Sequence, residues 1–251
     1  MDDVTGVFGD VADLYDDVRP DYPSELADLV RAYHGRTPDA VAEIGAGTGK
    51  GTAVLLRLGA PVTCVEPDAR MAARLTARFP QARVVTSTFE RWRPPAGGVP
   101  LIACALAWHW LDPATRNRRA HDALVPGGTL AVFGHKYDYA DPGQSRALDG
   151  FFRSAVPTAP ERPADWFHRD ITDSGLFADI RATHLHRDIP LPTERYLQLV
   201  ATFGPYRTLG PQDRSRGMAA LRRLVDGLDA PVVLRLRTTL VLARRAADAG
   251  R

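Results

Sequence analysis

The stretch that decides the fold is Val41-Ala42-Glu43-Ile44-Gly45-Ala46-Gly47-Thr48-Gly49-Lys50. Asp39 to Ile44 is a short apolar run that reads as a strand, and Lys50 to Leu58 reads as a helix ended by Gly59. Glycines between a strand and a helix permit a tight turn and let backbone N–H groups come close to a ligand. Three nucleotide-binding designs share that geometry. The dinucleotide pattern G-x-G-x-x-G needs glycine at position 50, where Lys50 stands. The phosphate-loop pattern G-x-x-x-x-G-K-[ST] fails too: Gly45 and Gly49 are one residue too close, and Gly51 follows the lysine where a hydroxyl is required. Glu43 argues against both, because a carboxylate under the loop repels a pyrophosphate and favours a ligand with an ammonium group.

Moving outward, the apolar run Val62–Val65 is followed by Glu66 and then by a helix from about Asp68 to Phe79. The 17 residues from Gly49 to Glu66 leave room for one helix and one returning strand. An acid at that point can accept hydrogen bonds from both hydroxyls of a ribose. S-adenosylmethionine has a ribose, an ammonium and a sulfonium, and no phosphate.

Further strands are expected at Arg83–Val85, Leu101–Leu106 and Thr129–Phe133, with a helix around Ala114–Leu124. A helix opens near Pro23-Ser24 and runs through Tyr33 to Gly35. Strands alternating with helices at this spacing indicate a parallel sheet covered on both faces. Beyond residue 133 the alternation weakens, and 134–170, rich in aromatics, prolines and charges, suits a cap. Ile180–Ile189 alternates loosely, Thr193–Phe203 and Arg214–Leu228 look helical, and Pro231–Ala243 reads as a closing strand.

The motifs resemble those of class I S-adenosylmethionine-dependent methyltransferases. Glu43–Gly49 is similar to their first motif, Val65-Glu66-Pro67-Asp68 to their second-strand motif, and Leu124-Val125-Pro126-Gly127-Gly128-Thr129-Leu130 to the turn before their fifth strand. Tyr15–Pro23 and Ala107-Trp108-His109-Trp110-Leu111-Asp112 resemble more narrowly a trans-aconitate-methyltransferase-like, methyltransferase type 11 subgroup. The similarity is good over residues 8–134, with weaker echoes at Tyr196–Tyr206 and Leu242–Arg245. Pro100 departs from it, standing where relatives often carry aspartate.

The resemblance implies an α/β, Rossmann-like doubly wound sheet of seven mostly parallel strands, the last antiparallel. It implies a single domain: an N-terminal helical lid (1–37), a cofactor core (38–134), a cap (135–230) and a closing strand with a tail (231–251). Gly45, Ala46, Gly47, Gly49 and Ala105 would then contact the methionine part of S-adenosylmethionine, with Glu43 beneath, and Glu66 with Pro67 the ribose. Thr88 and Phe89 would lie beside the adenine, and Tyr15 and Arg19 would close over the cofactor, Arg19 toward its carboxylate. S-adenosylhomocysteine would be the product, and no metal is expected.

Methyl transfer is an in-line displacement at a sulfonium already primed to leave, so the protein must align the nucleophile and, for a hydroxyl, take its proton. His109, ending the fourth strand, is the first base candidate; as a framework residue it would only pack with Trp108 and Trp110. His135, after the fifth strand, is the second, or else an ordinary loop histidine. Trp108, Tyr137, Tyr139, Trp166, Phe167 and Tyr206 are candidate acceptor-pocket residues, or cap packing. His184-Leu185-His186 lacks a further ligand at metal-like spacing and reads as surface.

Composition bounds the rest. The 251 residues, 45% apolar and 25% charged, fit one soluble α/β domain with a modest appendage. A formal charge of +2 is too small to suggest nucleic acid as a partner. Two cysteines, Cys64 and Cys104, exclude a disulfide scaffold and point to a reduced, cytoplasmic setting. The acidic N-terminus lacks the pattern of a signal peptide, and no run of about 18 apolar residues suggests a membrane span. The expectation is methylation of an oxygen on a small organic molecule, in secondary metabolism, by a monomer or homodimer. A methyltransferase-fold enzyme catalysing a cyclisation or rearrangement is the alternative.

Overall fold

The computed structural model describes residues 16–155, 163 and 166–246. Seven strands form one sheet in the order β3-β2-β1-β4-β5-β7-β6. They are β1 (Val41–Ile44), β2 (Val62–Glu66), β3 (Arg83–Thr86), β4 (Val99–Ala105), β5 (Leu124–Tyr139), β6 (Phe177–Leu191) and β7 (Val232–Arg245). Strands β1 to β5 pair in parallel and the last strands are antiparallel, as the expected fold class requires.

The chain divides into two compact units. Among the described residues, the larger comprises 21–135, 166–185 and 238–246; the smaller comprises 16–20, 136–155, 163 and 186–237.

In the larger unit, α1 (Glu25–His34), α2 (Lys50–Leu55), α3 (Ala69–Arg78), α4 (Arg116–Ala123) and α6 (Trp166–Asp173) accompany the sheet. Strand side chains alternate between two cores. Val41, Val62, Cys64, Leu101 and Ala103 enter one, with Leu26 and Val30 of α1 and Val54 and Leu55 of α2. Ala42, Ile44, Val65, Ile102 and Cys104 enter the other, with Ala120 of α4 and Phe167 and Ile171 of α6. Such near-continuous apolar strands are what a sheet buried on both faces demands. Asp68 caps α3 by accepting from the backbone N–H groups of Arg70 and Met71.

Strand β5 begins five residues earlier than its apolar pattern indicates. Val99 pairs with Leu124 and Leu101 with Thr129, so a bulge absorbs Pro126-Gly127-Gly128 opposite Pro100. The proline-glycine segment expected to precede the fifth strand therefore lies within it.

The smaller unit has its own core, in which Leu148 of α5 (Pro142–Ala155), Leu197 and Leu199 of α7 (Thr193–Ala201) and Leu221 and Val225 of α9 (Pro211–Asp226) meet. Helix α8 (Gly204–Arg207) is a single turn. The hydroxyls of Tyr139 and Tyr196 bond at 2.7 Å within it.

Candidate functional site

The carboxyl ends of the parallel strands are tied side by side. Gly45 N–H donates to Val65 O (2.8 Å), Ser87 N–H to Glu66 O (3.1 Å) and Leu106 N–H to Phe133 O (2.8 Å). The glycine loop thus leaves β1 beside the end of β2. Gly45, Gly47 and Gly49 have φ of 67°, 58° and 94°, and a Cβ on Gly45 would lie only 2.5 Å from Ala107 Cβ. Glycine is needed at 45 on both counts: the left-handed backbone and the close passage of the segment leaving β4.

Glu66, the last residue of β2, turns back under this loop. One carboxylate oxygen accepts from Gly47 N–H (2.7 Å) and the other from Asp68 N–H (2.9 Å). Burial holds its pKa above the usual carboxylate value, and the Asp68 and Gly47 bonds offset only part of that rise. Each oxygen keeps acceptor capacity for a hydroxyl partner. The loop and the second-strand acid, linked only by spacing in the sequence, are joined here by a hydrogen bond.

Glu43 is wholly buried, with 0% exposure. It opposes Cys64 on β2 and Ala103 on β4, on the sheet face covered by α2. Its Oε2 accepts from the Thr52 hydroxyl and from the Cys64 thiol (3.7 Å). Gly51 makes room for it, since a methyl there would overlap both Glu43 Oε1 and Ala105 Cβ. Oε1 has no hydrogen-bond partner among the described residues, and burial pushes the carboxyl up to about 8. That shift favours the neutral acid over the carboxylate near neutral pH.

Between β4 and α4, residues 108–110 form a single 3-10 turn. Trp108 is 1% exposed, and its indole N–H donates to Asp170 Oδ2 (2.8 Å). Trp110 is 51% exposed, and among the described residues it is the large apolar side chain that stands out to solvent. The His109 ring lies between them in sequence, 4.6 Å from the Trp110 ring and 6.4 Å from that of Trp166. His135, which proves to be inside β5, stacks on Tyr22 at 4.1 Å and shares a 2.9 Å bond with the Thr238 hydroxyl through Nδ1.

The other expected site residues fall as follows. Ala46 is buried in the loop, Ala105 is half-buried at the end of β4, and Pro67 is exposed. Thr88 is half-buried, whereas Phe89 packs into the core beneath the Arg119 guanidinium, 5.4 Å away. Trp166 and Phe167 sit on α6, Phe167 in the core. In the smaller unit, Arg19 donates to Thr202 Oγ1 (3.2 Å) and Thr202 O (3.0 Å). There too Tyr137 meets Phe203 at 5.5 Å, Tyr139 bonds Tyr196, and Tyr206, 1% exposed, donates to Arg214 O. Tyr15 lies outside the described residues. His184 bonds the Thr239 hydroxyl through Nδ1.

Three residues that the sequence does not single out belong with the site: Thr52, which bonds Glu43, and Arg116 with Asp170, which clasp the turn at 108–110. Arg116 and Asp170 are too far apart in the chain for any local pattern to link them. Among the described residues no group of three His, Cys, Asp or Glu side chains is placed to hold a metal ion, and no helix is long and apolar enough to cross a membrane.

Residues 41–128 match the family described as a methyltransferase domain. The chain is 35% identical over 130 residues to an uncharacterized methyltransferase of Mycobacterium tuberculosis, 52% of each chain. It is 34% identical over 93 residues to a trans-aconitate 2-methyltransferase of Rhizobium meliloti, 36% of each chain. The first of these matches spans about half the length of the relative, and the second less. The fold is similar to that of a candidate type II methyltransferase from Anaeromyxobacter dehalogenans, with a TM-score of 0.70, 18% identity, and coverage of 91% of this chain and 99% of that one.

Proposed function

We propose that this chain, whose residues 41–128 match a methyltransferase-domain family, moves a methyl group from S-adenosylmethionine to an oxygen of a small organic molecule. The observation that carries the reading is the bond from Gly47 N–H to Glu66, which sets an oriented carboxylate against a glycine loop that lacks the marks of a phosphate site. The residues fit the cofactor. Glu66 has acceptor capacity left on both oxygens for a ribose, and Glu43 keeps one buried oxygen unspent beneath the loop. When bound, the cofactor supplies an electrophilic methyl group on a sulfonium.

The protein's part is then alignment and exclusion of water. Gly45 to Gly49 and Ala105 would bear on the methionine part, and Thr88 would line the adenine side. Phe89, buried under Arg119, would support that wall from behind. His109 would take a proton if the acceptor is a hydroxyl; a carboxylate acceptor needs no base. An oxygen acceptor is supported by the Rhizobium meliloti relative, named for trans-aconitate, whose oxygens are those of carboxylates. The setting in secondary metabolism belongs to the same proposal. The rearrangement alternative gains no support, since the relatives are named as methyltransferases.

Calorimetric titration with S-adenosylhomocysteine, followed by transfer of labelled methyl into a small-molecule extract, tests this reading. Tight binding with a product heavier by one CH₂ supports it. Binding of NAD in place of S-adenosylhomocysteine, or no transfer into any fraction despite tight binding, would overturn it.

A further inference from the structure

We infer that Asp170, clasped by Arg116, is a positioning residue that fixes the Trp108–His109–Trp110 turn so that His109 and Trp110 are held ready on the acceptor side of the site. The inference deepens the methyl-transfer reading above and rests on it.

Within this three-residue 3-10 turn Trp110 N–H donates to Ala107 O (2.9 Å), a short element that fixes little of its own orientation. Its orientation must come from outside, and the structure supplies it from two helices. Asp170 on α6 accepts from Trp108 Nε1 (2.8 Å), from Arg116 through Nε (3.0 Å) and Nη2, and from Asn117 Nδ2 (2.9 Å). Arg116 on α4 also donates to Trp108 O (3.2 Å), so one arginine grips the carboxylate and the turn's backbone together. Its guanidinium lies over the rings of Trp166 (5.3 Å) and Trp108 (5.9 Å). Both ends of Trp108, indole and carbonyl, are therefore tied to the same ion pair.

Stability alone is a poor reason for this arrangement. Arg116 is 7% exposed, and a buried ion pair seldom outperforms apolar side chains of the same volume. What such a pair does provide is a defined geometry, because a fork of N–H donors meets a carboxylate in one orientation. Burial raises the Asp170 pKa, but the bonds from Arg116, Trp108 and Asn117 outweigh it and hold the carboxyl below its usual range, so the clasp stays charged. The geometry is handed to a turn whose next two side chains do not share the burial: His109 is half-buried and Trp110 stands half out of the protein. That turn follows Ala107, which packs on Gly45 of the loop. A rigidly seated imidazole and an exposed indole beside the cofactor loop suit an acceptor that must be aligned.

The test uses the full chain labelled at histidine. The His109 ring resonance is assigned by its loss in His109→Gln, and the rings of Trp110 and Trp166 displace it from the value of free histidine. In Asp170→Asn the resonance is expected to move at least halfway to the free value. S-adenosylhomocysteine affinity should stay within about twofold, and labelled-methyl transfer into extract should fall roughly tenfold or more, the order of loss for a misaligned site. Arg116→Lys, which keeps the charge but loses the fork, should move the resonance in the same direction and decides the matter if Asp170→Asn does not fold. A wild-type resonance position in the folded variants, with only the melting temperature lowered, overturns the proposal. Failure of the wild-type chain to bind S-adenosylhomocysteine would sink the methyl-transfer reading instead, while the histidine resonance would still report on the clasp.

Discussion

Replacing Gly45 by alanine is the sharpest probe of how the loop is built. Two penalties are separable. At φ 67° an L-residue occupies the left-handed region, which costs about 1–2 kcal/mol. The new methyl would lie 2.5 Å from Ala107 Cβ, whereas carbons pack at roughly 3.5–4.0 Å. Neither methyl can rotate away, so the backbone leaving β4 must shift, an overpacking penalty of about 1–3 kcal/mol. The total, about 2–5 kcal/mol, corresponds to a melting temperature lower by roughly 4–20 °C in a chain of this size.

Calorimetry on Gly45→Ala, Ala107→Gly and the double variant separates the parts. Ala107→Gly removes the clash but leaves the strained φ, so the double variant should recover about 1–3 kcal/mol relative to additivity. A Gly45→Ala protein melting within about 2 °C of wild type would refute the reasoning. So would strictly additive variants, which would mean that the two methyls never meet.

Other outcomes follow from the same geometry. Glu66→Gln should weaken S-adenosylhomocysteine binding by about 1.5–3 kcal/mol in calorimetry, the range for hydrogen bonds to a charged group; unchanged affinity would place the ribose elsewhere. Glu43 is raised from its ordinary 4.5 to about 8, so between those values the folded chain holds a proton that the unfolded chain has released. Its contribution to stability is therefore complete below pH 4.5 and is lost as pH climbs toward 8, by up to about 1.4 kcal/mol per unit. Glu43→Gln, which does not titrate, should gain on wild type in melting temperature from pH 5 to pH 8; parallel curves would show that Glu43 is ionised in the fold. Tyr139→Phe strands the Tyr196 hydroxyl in the smaller unit's core and should cost about 1–3 kcal/mol in denaturant titrations, with Tyr139→Phe/Tyr196→Phe recovering much of it.

What could be read from the sequence was local. The order β1, loop, α2, β2, acid was legible because each element lies within about 20 residues of the next and announces itself by period or by glycine. Strand ends were less so. The apolar run of β5 suggested a start at Thr129, yet pairing begins at Leu124, since a bulge opposite Pro100 tolerates a proline and two glycines that would end an ordinary strand. Residues 134–170 read as a cap because their aromatics and charges show no period. In the described part of this stretch the structure extends β5 to Tyr139 and forms α5 and the start of α6, elements that the sequence does not announce. Burial is the hardest to foresee: Trp108 and Trp110 look alike in sequence, yet the first is sealed in the core with its indole bonded to Asp170, 62 residues beyond it, and the second is left out.

Glu43 shows why burial matters to the chemistry as well as to the fold. As a surface charge it would repel a pyrophosphate unaided, but a carboxyl raised to about 8 contributes little charge at neutral pH. The discrimination passes to Glu66. A phosphate-binding loop keeps its N–H groups free for the anion, whereas here the Gly47 N–H is already given to a carboxylate 2.7 Å away. An incoming phosphate would have to displace that bond and then sit within roughly 5 Å of the displaced charge, a repulsion of about 3 kcal/mol at an effective dielectric near 20. A ribose hydroxyl meets no such barrier, because it donates to the same carboxylate that a phosphate must evict. The loop's Gly47 N–H is thus engaged by an internal carboxyl group, and under the function proposed above the partner that group suits is a diol.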